Sequence, residues 1–194
     1  PIPSGALSLK QVLFISAFLF ALGLLLAFRI NWLSFTILLV DSILLLIYSA
    51  FVKRKSGFAA NLLVGLLVGT AFLYGEAAIL NTVSLISLSL YPIAFGTIGG
   101  NVLRDIFSLE GDSKIGYSTL PQKIGAKNSV RVAAVFFVLT AALAPLPVFL
   151  QFFSVYYLLL IGIWSILLIY ASIRLVTSAT TNENVRKYER LVTM

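Results

Sequence analysis

Acidic side chains are scarce in this chain, and three of its seven lie close together: Asp105, Glu110 and Asp112. Arg104 and Lys114 flank them, and long apolar stretches lie on both sides. Carboxylates clustered beside a membrane segment lose hydration unless something cationic compensates them. A divalent metal carrying a phosphorylated substrate is such a partner: acids hold the metal, while bases hold phosphate oxygens directly. The residues therefore point to chemistry on a diphosphate at a bilayer surface. The chain contains no cysteine and no histidine, which excludes disulfides, the usual zinc sites and a histidine general base. A metal must be held by oxygen, and that favours magnesium or another hard cation.

The spacing leaves the local geometry open. Asp105 and Asp112 share a face if helix continues through them, whereas a bend at Gly111 would instead turn Asp112 inward. Glu110 is a third possible metal ligand. Asn101 lies one turn before Asp105, in reach of a metal or phosphate. A solvated loop with ordinary ion pairs is the plainer alternative for the whole cluster. Lys53, Arg54 and Lys55 read either as anchors to anionic lipid or as a phosphate clamp, and Tyr48 lies deep enough to line a cavity beneath them. Asp41 and Glu76 are intramembrane acids, functional candidates or groups bonded to a neighbour's hydroxyl. Asn61 is a further polar group in an apolar run.

The elements that must position these groups are membrane helices. Hydrophobic residues make up 60% of the chain, and its mean hydropathy is +1.03. No water-soluble domain of this length needs so much apolar surface. Six runs, Leu7–Phe28, Trp32–Val52, Phe58–Leu80, Val83–Leu103, Val130–Leu150 and Ser154–Ser178, each approach the roughly 20 residues that cross a bilayer. The expected fold is all-α, a multi-pass transmembrane bundle forming a single integral membrane domain over 1–194. Gly65 and Gly69 have small-xxx-small spacing, Pro92 interrupts the fourth run, and Pro145 and Pro147 end or kink the fifth.

Six passes put thirteen of the fourteen lysines and arginines on one side, with Arg29 alone on the other. That side is expected to be cytoplasmic, so the net charge of +7 marks topology and no nucleic-acid partner is expected. It also receives the segment 104–130, read as a long polar loop. Within it, Gly116 to Gly125 reads as a turn followed by a short amphipathic piece that caps a cavity mouth with Lys114 and Lys123. Glu183–Met194 reads as a polar linker, and the chain as an internal piece of a longer protein.

The run Asn101-Val-Leu-Arg-Asp-Ile-Phe-Ser-Leu-Glu-Gly-Asp-Ser-Lys-Ile-Gly-Tyr-Ser-Thr-Leu-Pro-Gln-Lys-Ile-Gly125 resembles the second aspartate-rich region of the UbiA-type intramembrane prenyltransferases. Pro1-Ile-Pro-Ser-Gly5 resembles the segment after that family's first such region. Lys53-Arg54 followed by Gly57 to Asn61, and Glu183-Asn-Val-Arg-Lys-Tyr188, are similar to further landmarks in the same order. The resemblance implies a nine-pass helical fold in which two cytoplasmic aspartate-rich loops bind Mg²⁺ and an isoprenyl diphosphate, whose tail occupies an apolar tunnel open to membrane lipid. The first two helices, the first motif and the ninth helix have no counterpart here. By the same resemblance, Asp105 and Asp112 are catalytic metal-binding acids, and Arg104 with Lys53 or Arg54 contacts phosphate. Ser108 stands where aspartate is frequent, Asn101 where glutamate is, and Gly100 where arginine is.

Pro1-Ile-Pro-Ser-Gly5, the Leu109-Glu-Gly-Asp112 run, and Ala144-Pro-Leu-Pro147 followed by Tyr156-Tyr157 resemble the archaeal ether-lipid branch. That branch joins geranylgeranyl diphosphate to a lipid-like phosphorylated alcohol, geranylgeranylglyceryl phosphate; Lys114, Lys123 or Lys127 would then meet the acceptor's phosphate. The Asn101-Val-Leu-Arg-Asp105 start is similar to quinone-pathway members, with an aromatic acceptor. A transporter or lipid-binding protein using Asp41 and Glu76, and a structural membrane subunit, are the readings from other classes.

Overall fold

The computed structural model describes residues 8–178 and 180–193. The Pro1–Gly5 landmark and Leu7 lie outside the described residues. Among those described, six helices are long and apolar enough to cross a membrane. They are α1 (Leu9–Ile30), α2 (Trp32–Lys55), α3 (Gly57–Leu80), α4 (Leu85–Phe107), α6 (Leu120–Phe149) and α7 (Tyr156–Thr177). A short α5 (Leu109–Ile115) follows α4, and α8 (Asn182–Thr193) follows α7.

Local chemistry sets the ends of these helices. Ser8 and Gln11 form a reciprocal capping box at the start of α1, which satisfies backbone donors that the first turn leaves unpaired. Asn31 alone joins α1 to α2. Its side-chain Oδ1 accepts from the Ser34 N–H at 2.8 Å, and its Nδ2 donates to the Ala77 carbonyl at 2.7 Å. One residue thus caps a helix and ties the hairpin to α3. Glu76, expected well inside a membrane pass, lies one turn from the same end of α3 and accepts from the Ser84 N–H at 3.0 Å. It organises the turn into α4.

Each spanning helix packs on the next, α1 on α2 through to α6 on α7, and the α4–α6 contact is the most extensive. Small residues make close contact possible. A methyl group on Gly99 of α4 would lie 2.8 Å from the Phe137 ring and 2.9 Å from the Ala133 carbonyl of α6. The Gly65 and Gly69 pair faces Ile98 and the Tyr91 ring of α4, so its spacing does serve helix packing. Large apolar side chains cover the outside of the bundle, as lipid contact requires.

Two expectations are corrected. The segment 104–130 is not a long loop. α4 runs on to Phe107, α5 begins at Leu109 and α6 at Leu120; α5 buries no residue and is closed by the Ser108–Asp112 and Tyr117–Asp112 bonds at its ends. The expected turn and short piece survive as left-handed Gly116 (φ 81°) and a break at Gly125 (φ 79°) that separates the first turn of α6 from its membrane pass. The tail is not a linker either. Val185, Tyr188 and Val192 recur on one face of α8 and are buried against Val102, Leu103 and Ile106 of α4 and Leu175 of α7, an amphipathic pattern masked by the polar residues between them. The Thr181 hydroxyl caps α8 through the Asn184 N–H at 3.3 Å, and Arg174 donates from Nε to the Tyr188 hydroxyl at 3.2 Å.

Gly99→Val is expected to destabilise the bundle by about 1–3 kcal/mol through overpacking. A lowered apparent unfolding temperature of the detergent-solubilised protein would register it, and an unchanged one would show that α4 and α6 can separate freely.

Candidate functional site

Three helix ends meet at the basic end of the bundle. α2 passes through a π-helical turn at Tyr48–Val52 just before Lys53, and such a turn shifts the face on which following side chains emerge. The Gly57 N–H at the start of α3 donates to the Ser118 carbonyl at 2.7 Å. A side chain on Gly57 would meet the Thr119 Cα at 2.9 Å, so only glycine lets the α5–α6 connection sit this close. The last turns of α4 supply Asn101, Arg104 and Asp105.

These ends enclose a cavity of about 380 Å³ lined by Tyr48, Lys53, Gly57, Ala60, Asn61, Val64, Asn101, Arg104, Asp105, Ser108, Asp112, Tyr117 and Thr119. Each carboxylate in it has a neutral donor. Asn61 Nδ2 donates to Asp105 Oδ2 at 2.8 Å, and the Ser108 hydroxyl donates to Asp112 Oδ2. Both acids keep oxygen lone pairs for another partner. Arg104 Nε donates to Glu189 Oε1 of α8 at 3.0 Å, and Nη1 to Asn101 Oδ1 at 3.4 Å. The Lys53 ammonium lies over the Tyr117 ring, 5.2 Å from its centre. The Tyr117 N–H in turn donates to the Asp112 carbonyl at 2.9 Å, which closes α5.

Six residues expected from the sequence are therefore brought together: Tyr48, Lys53, Asn101, Arg104, Asp105 and Asp112. Four are not. Arg54, Glu110, Lys114 and Lys123 are exposed and line no part of this cavity. Helical geometry gives the reason: residues two apart on α5 emerge on opposite sides, so once Asp112 faces the cavity, Glu110 and Lys114 face away. Glu110 thus stands apart from Asp105 and Asp112 in this structure, and no group of three or more acids that could hold a metal occurs among the described residues. The intramembrane Asp41 accepts from the Thr70 hydroxyl at 2.6 Å and lies outside the cavity lining. Tyr117 and Thr119 belong to the Gly116–Gly125 stretch expected to cap the mouth but were not singled out, and Glu189 was not expected. Tyr117 carries no signal in its sequence context, whereas Asn61 was detectable as an amide in an apolar run.

Ser108, the departure from the aspartate frequent at its position, binds its neighbour Asp112 across one helical turn. The cavity offers oxygen donors only, two carboxylates with hydroxyl and amide groups, and that set suits a hard divalent cation whose remaining positions are filled by water and phosphate oxygens.

The model of the UbiA prenyltransferase family matches residues 1–193. The chain belongs to that family. It is 35% identical over 164 residues to digeranylgeranylglyceryl phosphate synthase of Methanosarcina mazei, covering 84% of this chain and 56% of that protein. The synthase of the same name from Methanococcoides burtonii is 36% identical over 172 residues, 88% of this chain and 61% of that one. In Methanocaldococcus jannaschii the figures are 35% over 171 residues, 88% and 59%. This chain thus spans little more than half the length of these relatives. A solved structure from work on digeranylgeranylglyceryl phosphate synthase in membranes superposes with a TM-score of 0.80 at 32% identity, covering all of this chain and 68% of that one. The fold is accordingly the all-helical membrane bundle of the UbiA type.

Asn61→Leu keeps the volume near that of the native side chain and leaves Asp105 half-buried without its donor. Loss of such a bond costs about 1–3 kcal/mol, so divalent-ion affinity is expected to change about tenfold. Titration of the full-length variant with Mn²⁺, followed by electron paramagnetic resonance, measures it; wild-type affinity would show that Asn61 does not orient Asp105.

Proposed function

We propose that the full-length protein transfers a geranylgeranyl group from geranylgeranyl diphosphate to geranylgeranylglyceryl phosphate. The observation that carries this reading is the convergence of Asp105, Asp112, Lys53 and Arg104 on one cavity, in a chain about 35% identical to synthases of that name. The bond from the allylic carbon to diphosphate oxygen breaks and its electron pair leaves with the diphosphate. The acceptor's glycerol oxygen forms the new carbon–oxygen bond, and its proton passes to the released diphosphate. No histidine base is needed, because the developing allylic cation is itself a strong electrophile.

Asp105 and Asp112 would hold Mg²⁺, which neutralises the charge that accumulates on the leaving diphosphate. Lys53 and Arg104 donate to phosphate oxygens; the Lys53 ammonium exchanges its contact with the Tyr117 ring for this stronger one. Tyr48 and Val64 line the deeper part of the cavity, toward the membrane interior where the donor's chain belongs. α5 and the Tyr117–Thr119 segment shield the reacting carbon from water, which would otherwise capture the cation. The face bearing the site is cytoplasmic, on the ground that the basic residues collect there.

Asp105→Asn and Asp112→Asn, each in the full-length protein, are expected to lower turnover at least about a hundredfold with folding retained. Diphosphate release under Mg²⁺, before and after chelation with EDTA, measures it. Normal turnover by both variants would overturn the site. An acceptor panel separates the lipid from the aromatic substrate: diphosphate release with a hydroxybenzoate and none with geranylgeranylglyceryl phosphate would replace the ether-lipid reading by the quinone-precursor one.

For orientation, single cysteines placed at Lys114 and at Asn81 are expected to differ in labelling. In right-side-out vesicles an impermeant maleimide should reach position 81 and not 114. The reverse pattern would invert the topology.

A further inference from the structure

The last turns of α4, which carry Asn101, Arg104 and Asp105, are gripped from one side by α8. Val185, Tyr188 and Val192 pack on Val102, Leu103 and Ile106. The Arg186 guanidinium lies over the Phe107 ring, 5.4 Å from its centre. Glu189, with a side chain only 12% exposed, accepts from Arg104, whose own side chain is 58% exposed. Arg104 also borders a second, apolar cavity of about 450 Å³ on the α7 side of α4, so its long side chain has two spaces to enter.

We propose that Glu189 is a positioning residue, which holds the Arg104 guanidinium at the rim of the diphosphate cavity. The proposal rests on the prenyl-transfer reading above. Glu189 engages Nε and Asn101 engages Nη1, and the remaining guanidinium hydrogens are left to donate to a phosphate. Fixing the fork beforehand removes much of the side-chain entropy that binding would otherwise cost. The opposing effect is repulsion between the Glu189 carboxylate and the incoming anion. Arg104 lines the cavity and Glu189 does not, and the 58% exposure of the Arg104 side chain means strong screening, so positioning is expected to outweigh repulsion. The sign of the effect of removing Glu189 therefore separates the two roles.

The test uses full-length protein in nanodiscs, with Glu189→Ala, Glu189→Gln, Arg104→Ala and the Arg104→Ala/Glu189→Ala pair. Two quantities are read: KM and kcat with geranylgeranyl diphosphate, and the Kd of inorganic pyrophosphate with Mg²⁺ by calorimetry. Glu189→Ala is expected to raise KM and Kd about fivefold, the size of a partly exposed charged contact, with kcat and unfolding temperature unchanged. Glu189→Gln keeps an oxygen acceptor for Nε and should recover most of the loss. In the Arg104→Ala background, removing Glu189 should add nothing. An unchanged or lowered KM and Kd in Glu189→Ala overturns the proposal, as does an undiminished loss in the absence of Arg104, or a fall in kcat and unfolding temperature together. If the wild type binds pyrophosphate but transfers no prenyl group, the functional reading fails and the binding arm still decides the role of Glu189. A wild type that binds no pyrophosphate overturns both.

Discussion

Hydration of the charged groups at the end of α4 is the constraint on which the rest of the structure depends. Arg104 and Asp105 close a helix that otherwise buries Val102, Leu103 and Ile106. Neither charge can be sunk among those neighbours without a partner, since stripping water from an unpaired ion costs several kcal/mol. The fold answers by bringing a polar group from a different element to each: Asn61 of α3 to Asp105, and Glu189 of α8 to Arg104. Asn61 thus ties α3 to Asp105, while α8 is seated by burial of Val185, Tyr188 and Val192 and meets the exposed Arg104 through Glu189; the cavity between α2, α3 and α4 is the space left at that junction.

Close helix packing makes those partners reachable. Asn61 lies one turn before Gly65, and the small residues of α3 let it approach α4 closely enough for an amide to span the gap. On the opposite side, Gly99 draws α4 onto α6, and α6 in turn carries the Tyr117–Thr119 connection over the site. Apolar burial holds the helices at these distances, but it is non-directional. Part of the direction comes from polar contacts at helix ends: the Asn31 cap, the Ser84–Glu76 turn and the Gly57–Ser118 bond. All of these lie at the two ends of the bundle, where irregular backbone can be satisfied. The membrane interior admits little besides helix.

The chemistry assigned to the site follows from what converges there. Two carboxylates, each with one neutral donor, keep lone pairs for a cation, and two basic side chains on different helices approach from the sides. Such a set is the one expected if a charged diphosphate and its metal bind together, as proposed above. Tyr48, Ala60 and Val64 give the same cavity an apolar part beside its charged one.

Much of this was legible in the sequence. Six apolar runs, their proline breaks and the distribution of basic residues define the bundle, because length and hydropathy suffice where every helix must satisfy its own backbone in lipid. The pairing of Asp105 with Asp112 was equally visible, as was the close-packing role of Gly65 and Gly69. Other features depended on three dimensions. Whether Glu110 or Asp112 faces the cavity turns on the phase of a seven-residue helix, which a short polar stretch does not reveal. The helical state of 182–193 rests on a buried stripe that has meaning only against α4 and α7. The contacts between Asn61 and Asp105, Lys53 and Tyr117, and Arg104 and Glu189 join residues 44, 64 and 85 positions apart. Local composition determined that this chain is a membrane bundle with a charged rim. Only tertiary packing decided which of the rim's charges share a cavity, because side-chain direction on a helix is set by what the opposite face must bury.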